Sequence, residues 1–235
     1  MSERVLVVSP HRDDETIACG GTICAHVDRG DQVAVVHMCG QGGASSAEAL
    51  AAARVLGVHD VSTLSSPPLQ LEASTALLAE LVAVFRRYRP SIAYVPHPAD
   101  DDPTHQLTAK VAREARWAAA YPVLGEAGEQ AESPAAVVYE YEVWTPLPGP
   151  SVFVDISAYT RRKIDALEQY SSQLEICQWA DGALGLNRYR GVTSGCGAYA
   201  EAFTVVRAPH AIMWPGQTSV PGGVGRPGSG PARVG

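Results

Sequence analysis

Val5-Leu6-Val7-Val8-Ser9-Pro10-His11-Arg12-Asp13-Asp14-Glu15 begins as four apolar residues and ends, past a proline, in one histidine, one arginine and three carboxylates. A short apolar, β-branched run stopped by proline has the pattern of a strand buried on both faces. In open α/β sheets ligands collect outside the carboxyl ends of the strands, so a strand ending here delivers its charges to the edge where chemistry sits. His11 and, three positions on, Asp14 are types that can close on one cation, which leaves Asp13 free to handle a proton. The competing reading is that His11 to Glu15 only caps the next helix, whose N-terminus favours acidic side chains.

Working outward, helix-like and strand-like stretches alternate. Thr16 to Arg29 has helical length and an apolar face of Ile17, Ile23, Cys24 and Val27. It also carries Gly20-Gly21, and since glycine costs a helix roughly 1 kcal/mol relative to alanine, the pair implies close approach to a neighbouring segment. Gln32 to Met38 reads as a second strand, followed by the loop Cys39 to Gly43, which is glycine-rich but matches neither GxGxxG nor a Walker sequence. A helix over Ser45 to Leu56 stops at Gly57, Val58 to Leu64 reads as a short strand, and a helix over Glu72 to Tyr88 ends before Pro90. Ser91 to Pro96 is another apolar strand. This order predicts an α/β, Rossmann-like, doubly wound and mostly parallel sheet.

The strand ending at Pro96 leads into a second charged cluster, His97-Pro98-Ala99-Asp100-Asp101-Asp102-Pro103-Thr104-His105, at the start of a helix running to about Trp117. Strands over Val137 to Trp144 and Ser151 to Asp155 and a helix over Ser157 to Ser172 complete the pattern as a small C-terminal β-containing segment. Residues 1–208 are expected to form one domain and 209–235 a flexible Gly/Pro-rich tail.

Zn²⁺ accepts histidine nitrogen and carboxylate oxygen, and hydrolytic zinc sites use three protein ligands with one position open to water. His11, Asp14 and His105 supply that set from two strand ends, and Asp13 is placed to take a proton from water made acidic by the metal. The chain here resembles the LmbE/PIG-L-like N-deacetylases, whose first motif is Pro-His-Pro-Asp-Asp-Glu; Pro10 to Glu15 matches it with Arg12 in place of the second proline. Their second motif, Asp-x-His-Pro-Asp-His, aligns with Asp100 to His105. Lys163 to Gln173, Arg190-Gly191 and Gly197 to Phe203 also look like the family, so the resemblance spans most of the chain before the tail.

The resemblance implies a zinc-dependent hydrolase that removes an acyl group, most often acetyl, from the nitrogen of an amino sugar. It matches His11, Asp14 and His105 to the metal ligands and Asp13 to the general base. Arg12 adds a donor fork that can meet a substrate hydroxyl, carboxylate or phosphate, and His97 is near enough in sequence to line the pocket. Asp102 stands where the family has a histidine that polarises the carbonyl or protonates the leaving amine; an ionised carboxylate can do neither. Thr104 replaces the aspartate that would orient His105.

Eighteen Lys and Arg against twenty-five Asp and Glu give a net charge of -7, which argues against nucleic acid or an anionic membrane as partner. Five cysteines without CxxC spacing signal neither a disulfide framework nor a thiolate zinc site. No leader or membrane span is recognisable, so the expectation is a soluble, cytoplasmic protein. Its expected partner is a small N-acylated, glycosylated molecule, with self-association left open. Two other classes stay in view: a non-catalytic metal-binding domain of the same fold, suggested by Asp102, and a nucleotide-binding oxidoreductase or transferase, suggested by the fold pattern alone.

Overall fold

The computed structural model describes residues 2–40, 44–66, 73–129 and 135–207. The expected tail, 209–235, lies outside the described residues. Seven strands and seven α-helices follow one another among those described: β1 (Arg4–Ser9), α1 (Asp14–Asp28), β2 (Gln32–Cys39), α2 (Ser46–Leu56), β3 (Asp60–Ser66), α3 (Thr75–Tyr88) and β4 (Ile92–Pro96) come first. Then come α4 (Pro103–Ala118), β5 (Val137–Tyr141), β6 (Val152–Asp155), α5 (Thr160–Leu167), α6 (Ser171–Leu174), α7 (Trp179–Ser194) and β7 (Ala200–Arg207). The strands form one sheet in the order β3-β2-β1-β4-β5-β7-β6. β1 to β5 pair in parallel, whereas β7 runs antiparallel between β5 and β6.

The apolar run that opens the chain explains why the sheet is covered on both sides. Successive side chains of a strand point to opposite faces. Val5 and Val7 therefore join Val35, Ile92 and Tyr94 in a core shared with α1, α2 and α5, while Leu6 and Val8 join Val36, Ala93 and Val95 in a core shared with α3 and α4. β1 has β2 on one side and β4 on the other. The chain reverses its direction of travel across the sheet at that point, and the carboxyl ends of β1 and β4 bound the resulting crevice.

Helix ends follow local chemistry. Ser45 caps α2 in a reciprocal arrangement with Glu48, and Gly57 ends that helix at φ 84, in the left-handed region where glycine is unstrained. The Gly20-Gly21 pair lies where α1 meets the chain after β6: a Cβ on Gly21 would sit 2.6 Å from Ile156, and one on Gly20 would sit 3.0 Å from the Lys163 side chain.

Four elements depart from expectation. The helix expected over Ser157 to Ser172 is divided into α5 and α6, because Tyr170 leaves helical geometry and turns its buried hydroxyl to Glu15. β5 ends at Tyr141 rather than Trp144, since the amides of Trp144 and Thr145 donate to the Asp100 carboxylate instead of to a ladder. α7 and β7 had no counterpart in the periodicity; α7 carries Gly182, Gly185 and Gly191 and has little segregation of apolar residues to one face.

Candidate metal centre

Two strand ends and the helices that follow them converge at the crevice between β1 and β4. His11 lies in the turn after β1 and Asp14 opens α1, while Asp102 and His105 lie at the start of α4. His11 Nδ1 is 3.1 Å from Asp14 Oδ2, His105 Nε2 is 3.2 Å from the same oxygen, and the two nitrogens are 3.3 Å apart. Ligands about 2.0–2.1 Å from a tetrahedral cation stand about 3.3–3.4 Å from one another, so this triangle has the dimensions of one face of such a site. Asp14 Oδ1 is buried without a hydrogen-bond partner, a state that costs free energy unless a cation or donor compensates it.

Asp102 belongs to the same neighbourhood. His11, Asp102 and His105 each bring a donor atom within 4.8 Å of the others, a wider grouping than the triangle that includes Asp14. One Asp102 oxygen, Oδ1, caps α4 by accepting from the amides of Thr104 (2.6 Å) and His105 (3.4 Å).

Burial and charge set the protonation of these groups. Burial raises the Asp13 carboxyl, and Asp14 and Glu15 add to the effect, bringing it to about 8. Asp13 occupies the N-cap position of α1 yet makes no side-chain capping bond. Its carboxylate is therefore not spent on the helix, which answers the capping alternative for this residue. Burial would lower His105, but Asp14 and Asp100 outweigh it and raise the imidazole to about 10. Burial would raise Asp14, but the two histidines hold it well below the ordinary carboxylate range. Crowded carboxylates that retain charge by borrowing protons on neighbouring imidazoles make an environment in which a divalent cation can replace those protons.

The supporting groups are themselves buried. Glu15 accepts from Ser9 Oγ (2.9 Å), Thr16 Oγ1 (3.1 Å) and Tyr170 OH (2.9 Å), with His37 Nε2 at 3.3 Å. It thereby ties the turn after β1 to the end of α5. Asp100 Oδ1 is 3.5 Å from His105 Nδ1, and Asp100 Oδ2 accepts from the amides of Trp144 and Thr145. The orienting carboxylate that Thr104 cannot supply is thus present two residues before Asp102. Trp144, held by that carboxylate, lays its ring 6.2 Å from the His105 ring at an interplanar angle of 27°.

His97 is buried, with Nε2 2.7 Å from the Thr145 carbonyl, so it braces the loop carrying Trp144. Arg12 reaches toward the loop after β2, donating to the Ala44 carbonyl at 3.3 Å, with its Nε buried and without a partner. Sequence reasoning gave no role to Asp100 and none to Glu15 beyond capping the next helix. Each stands inside a quoted motif, but only the fold reveals what its carboxylate holds.

Residues 6–116 match the sequence model of the PIG-L family, described as GlcNAc-PI de-N-acetylase. The diacetylchitobiose deacetylase of Thermococcus kodakarensis is 28% identical over 198 residues, covering 75% of this chain and 72% of that one. The conserved protein TT1542 of Thermus thermophilus superposes with a TM-score of 0.80 at 26% identity, covering 90% of this chain and 97% of the other. GalB, a 4-carboxy-2-hydroxymuconate hydratase of Pseudomonas putida, shares the fold at 24% identity with a TM-score of 0.74, covering 91% of this chain and all of its own. The same scaffold therefore carries more than one reaction, and the donor groups have to decide between them.

Proposed function

Since the chain belongs to the PIG-L/LmbE-like deacetylase family, we propose that it is a metal-dependent hydrolase that removes an N-acyl group, acetyl in the simplest case, from a small amino-sugar-containing molecule. The observation that carries this reading is the triangle of His11 Nδ1, Asp14 Oδ2 and His105 Nε2, with sides of 3.1 to 3.3 Å, beside the buried carboxyl of Asp13. In it those three residues hold one divalent cation, Zn²⁺ by preference of a donor set with two imidazoles and one carboxylate. When bound, the cation supplies the charge that makes water acidic near neutrality and polarises a carbonyl.

The chain's own residues do the rest. Asp13 takes the proton from the attacking water. The water oxygen bonds to the acyl carbon, the C–N bond breaks, and the proton held by Asp13 passes to the departing nitrogen, leaving a free amine and a carboxylic acid that then gives its remaining proton to solvent. A nearby cation lowers the Asp13 pKa from its raised value toward the working range of a general base. Asp100 keeps the His105 ring aligned. Asp102 as a carboxylate has no proton to offer a developing oxyanion, so Arg12, with its unpartnered Nε, is the donor to test there.

A second reading rests on Asp102 itself. If its carboxylate joins the cation together with Asp14, the position that water needs is filled, and the protein is a metal-binding domain without turnover. Metal analysis of the purified protein, combined with a mass-spectrometric screen over N-acylated amino sugars, separates the two. The hydrolase reading expects one metal per chain and loss of the acyl mass from at least one substrate. Stoichiometric metal with no turnover across the screen would establish the second reading.

A further inference from the structure

Beside the metal centre lies a cavity of about 280 Å³ that the reaction outlined above leaves unused. Its walls are Ile17 and Ala18 of α1, Val143, Trp144 and Pro146 of the loop between β5 and β6, and the α7 face that includes Trp179, Ala183 and Leu186. We propose that this cavity is an acyl-chain recess, which makes the substrate class one whose N-acyl group is longer than acetyl; the inference rests on the hydrolase reading and deepens it.

Position supports it first. Ile17 and Ala18 stand three and four residues after Asp14, so they share its face of α1, and both line the cavity. Trp144 lines the cavity and has its ring centroid 6.2 Å from that of His105. The recess is thus one indole ring away from His105, whereas an aglycone would be separated from the amide by the whole sugar.

Chemistry supports it second. Two polar side chains of the wall, Glu142 and Asn187, have their acceptor oxygens already engaged. Glu142 accepts from Arg190 Nε (2.9 Å), Arg190 Nη2 (2.5 Å) and the Leu147 amide (2.6 Å), and Asn187 Oδ1 accepts from Lys163 Nζ (2.8 Å). What the cavity offers a guest is apolar surface, including Trp144 and Trp179 with ring centroids 4.5 Å apart. Its volume falls just below the roughly 300–1,000 Å³ of pockets that take a whole drug-sized ligand, so it suits a fragment of the substrate. A hydrocarbon chain placed there gains by leaving water.

The test is a series of N-acyl glucosamines, acetyl, butanoyl, hexanoyl and octanoyl, assayed for kcat/KM with the metal-loaded enzyme, alongside binding of hexanoate and acetate read by tryptophan fluorescence. Each buried methylene should raise kcat/KM about four-fold until the recess is full. Ala183→Leu, which fills the recess, should cut the hexanoyl-to-acetyl ratio and abolish the hexanoate signal. Because Ala183 is buried, Trp179→Ala serves as the second variant: by enlarging the recess it should move the optimum to a longer chain. A flat or falling profile with acetyl substrate hydrolysed, or an optimum that neither variant moves, overturns the proposal. If no member is hydrolysed but hexanoate perturbs the wild type and not Ala183→Leu, the recess stands and the hydrolase reading falls. No hydrolysis and no hexanoate signal removes both.

Discussion

At Asp102 one carboxylate serves two neighbours, since Oδ1 caps α4 while the side chain also stands in donor range of His11 and His105. The two tasks respond differently to substitution. Asn caps as well as Asp, so Asp102→Asn should keep the melting temperature of the metal-free protein and isolate the effect of charge on metal affinity. Asp102→His, the family-like change, gives up the cap at a cost of about 0.5–2 kcal/mol, which for a chain of this size lowers Tm by a few degrees. Calorimetry and metal titration on both variants check this; an unchanged Tm in Asp102→His would mean the cap contributes nothing. For the proposed ligands, His105→Ala should leave the purified protein without stoichiometric metal. Asp13→Asn should keep the metal and lose about 10²–10⁴-fold in turnover, because an amide cannot take the proton from water at neutral pH. Full metal content in the first variant, or full turnover in the second, would remove that residue from the scheme.

α1 is held in place by a device that enters its backbone. Lys163 Nζ, fully buried on α5, donates to the Ile17 carbonyl (2.7 Å) and to Glu201 of β7 (2.7 Å), and Glu201 in turn accepts from the amides of Gly21 (2.9 Å) and Thr22 (2.7 Å). The two glycines let this cross-link approach the helix. Lys163→Met leaves a buried carboxylate facing only amide donors, and removal of one partner from a buried pair typically costs about 3–5 kcal/mol. Gly21→Ala places a methyl against the buried Ile156 and should cost about 1–3 kcal/mol by overpacking. Denaturant unfolding of both variants measures these losses, and a Gly21→Ala protein as stable as wild type would show that the contact between α1 and Ile156 relaxes freely. Asp14 and Ile17 lie on this helix, so the same substitutions are expected to disturb the metal centre as well as the fold.

For the molecule as a whole, acid stability should depend on His26, buried on α1 against Asp31 and against Tyr94 of β4. Its Nδ1 is 2.7 Å from Asp31 Oδ2 and its Nε2 is 3.0 Å from the Tyr94 hydroxyl. Burial lowers its pKa to about 4 against the opposing pull of Asp31. The folded value lies below the unfolded value of about 6.5, so the native state favours the neutral ring. Its contribution is therefore complete above about pH 6.5 and is lost as pH falls toward 4, while the unfolded chain takes up the proton first; the loss is at most roughly 3 kcal/mol. Asp31, held below its ordinary range, contributes a separate loss at lower pH. His26→Gln should show a smaller drop in unfolding free energy between pH 6.5 and 4.5 than the wild type. Equal drops would place the sensitivity elsewhere. No helix among the described residues is long and apolar enough to cross a membrane.

The sequence by itself determined the sheet class and marked both halves of the candidate metal centre. Val5 to Val8 and Ile92 to Val95 are apolar without interruption, a pattern that, with a proline following each run, fits a strand covered on both faces, and each run stops just before its charged cluster. Strand periodicity and punctuation are local properties, and so is the spacing of His11, Asp13 and Asp14. Tertiary structure alone decided that β4 pairs with β1, which brings His105 to His11 across 94 residues of chain. It alone divided the helix at Tyr170, whose reason is Glu15, a residue 155 positions away. It alone gave Asp100 its two tasks, because the amides of Trp144 and Thr145 that it accepts from lie 44 and 45 residues on. A side chain's hydrogen-bonding capacity is written in its type, but its partner is fixed by which strands become neighbours, and that is settled by packing over the whole sheet rather than by any local stretch.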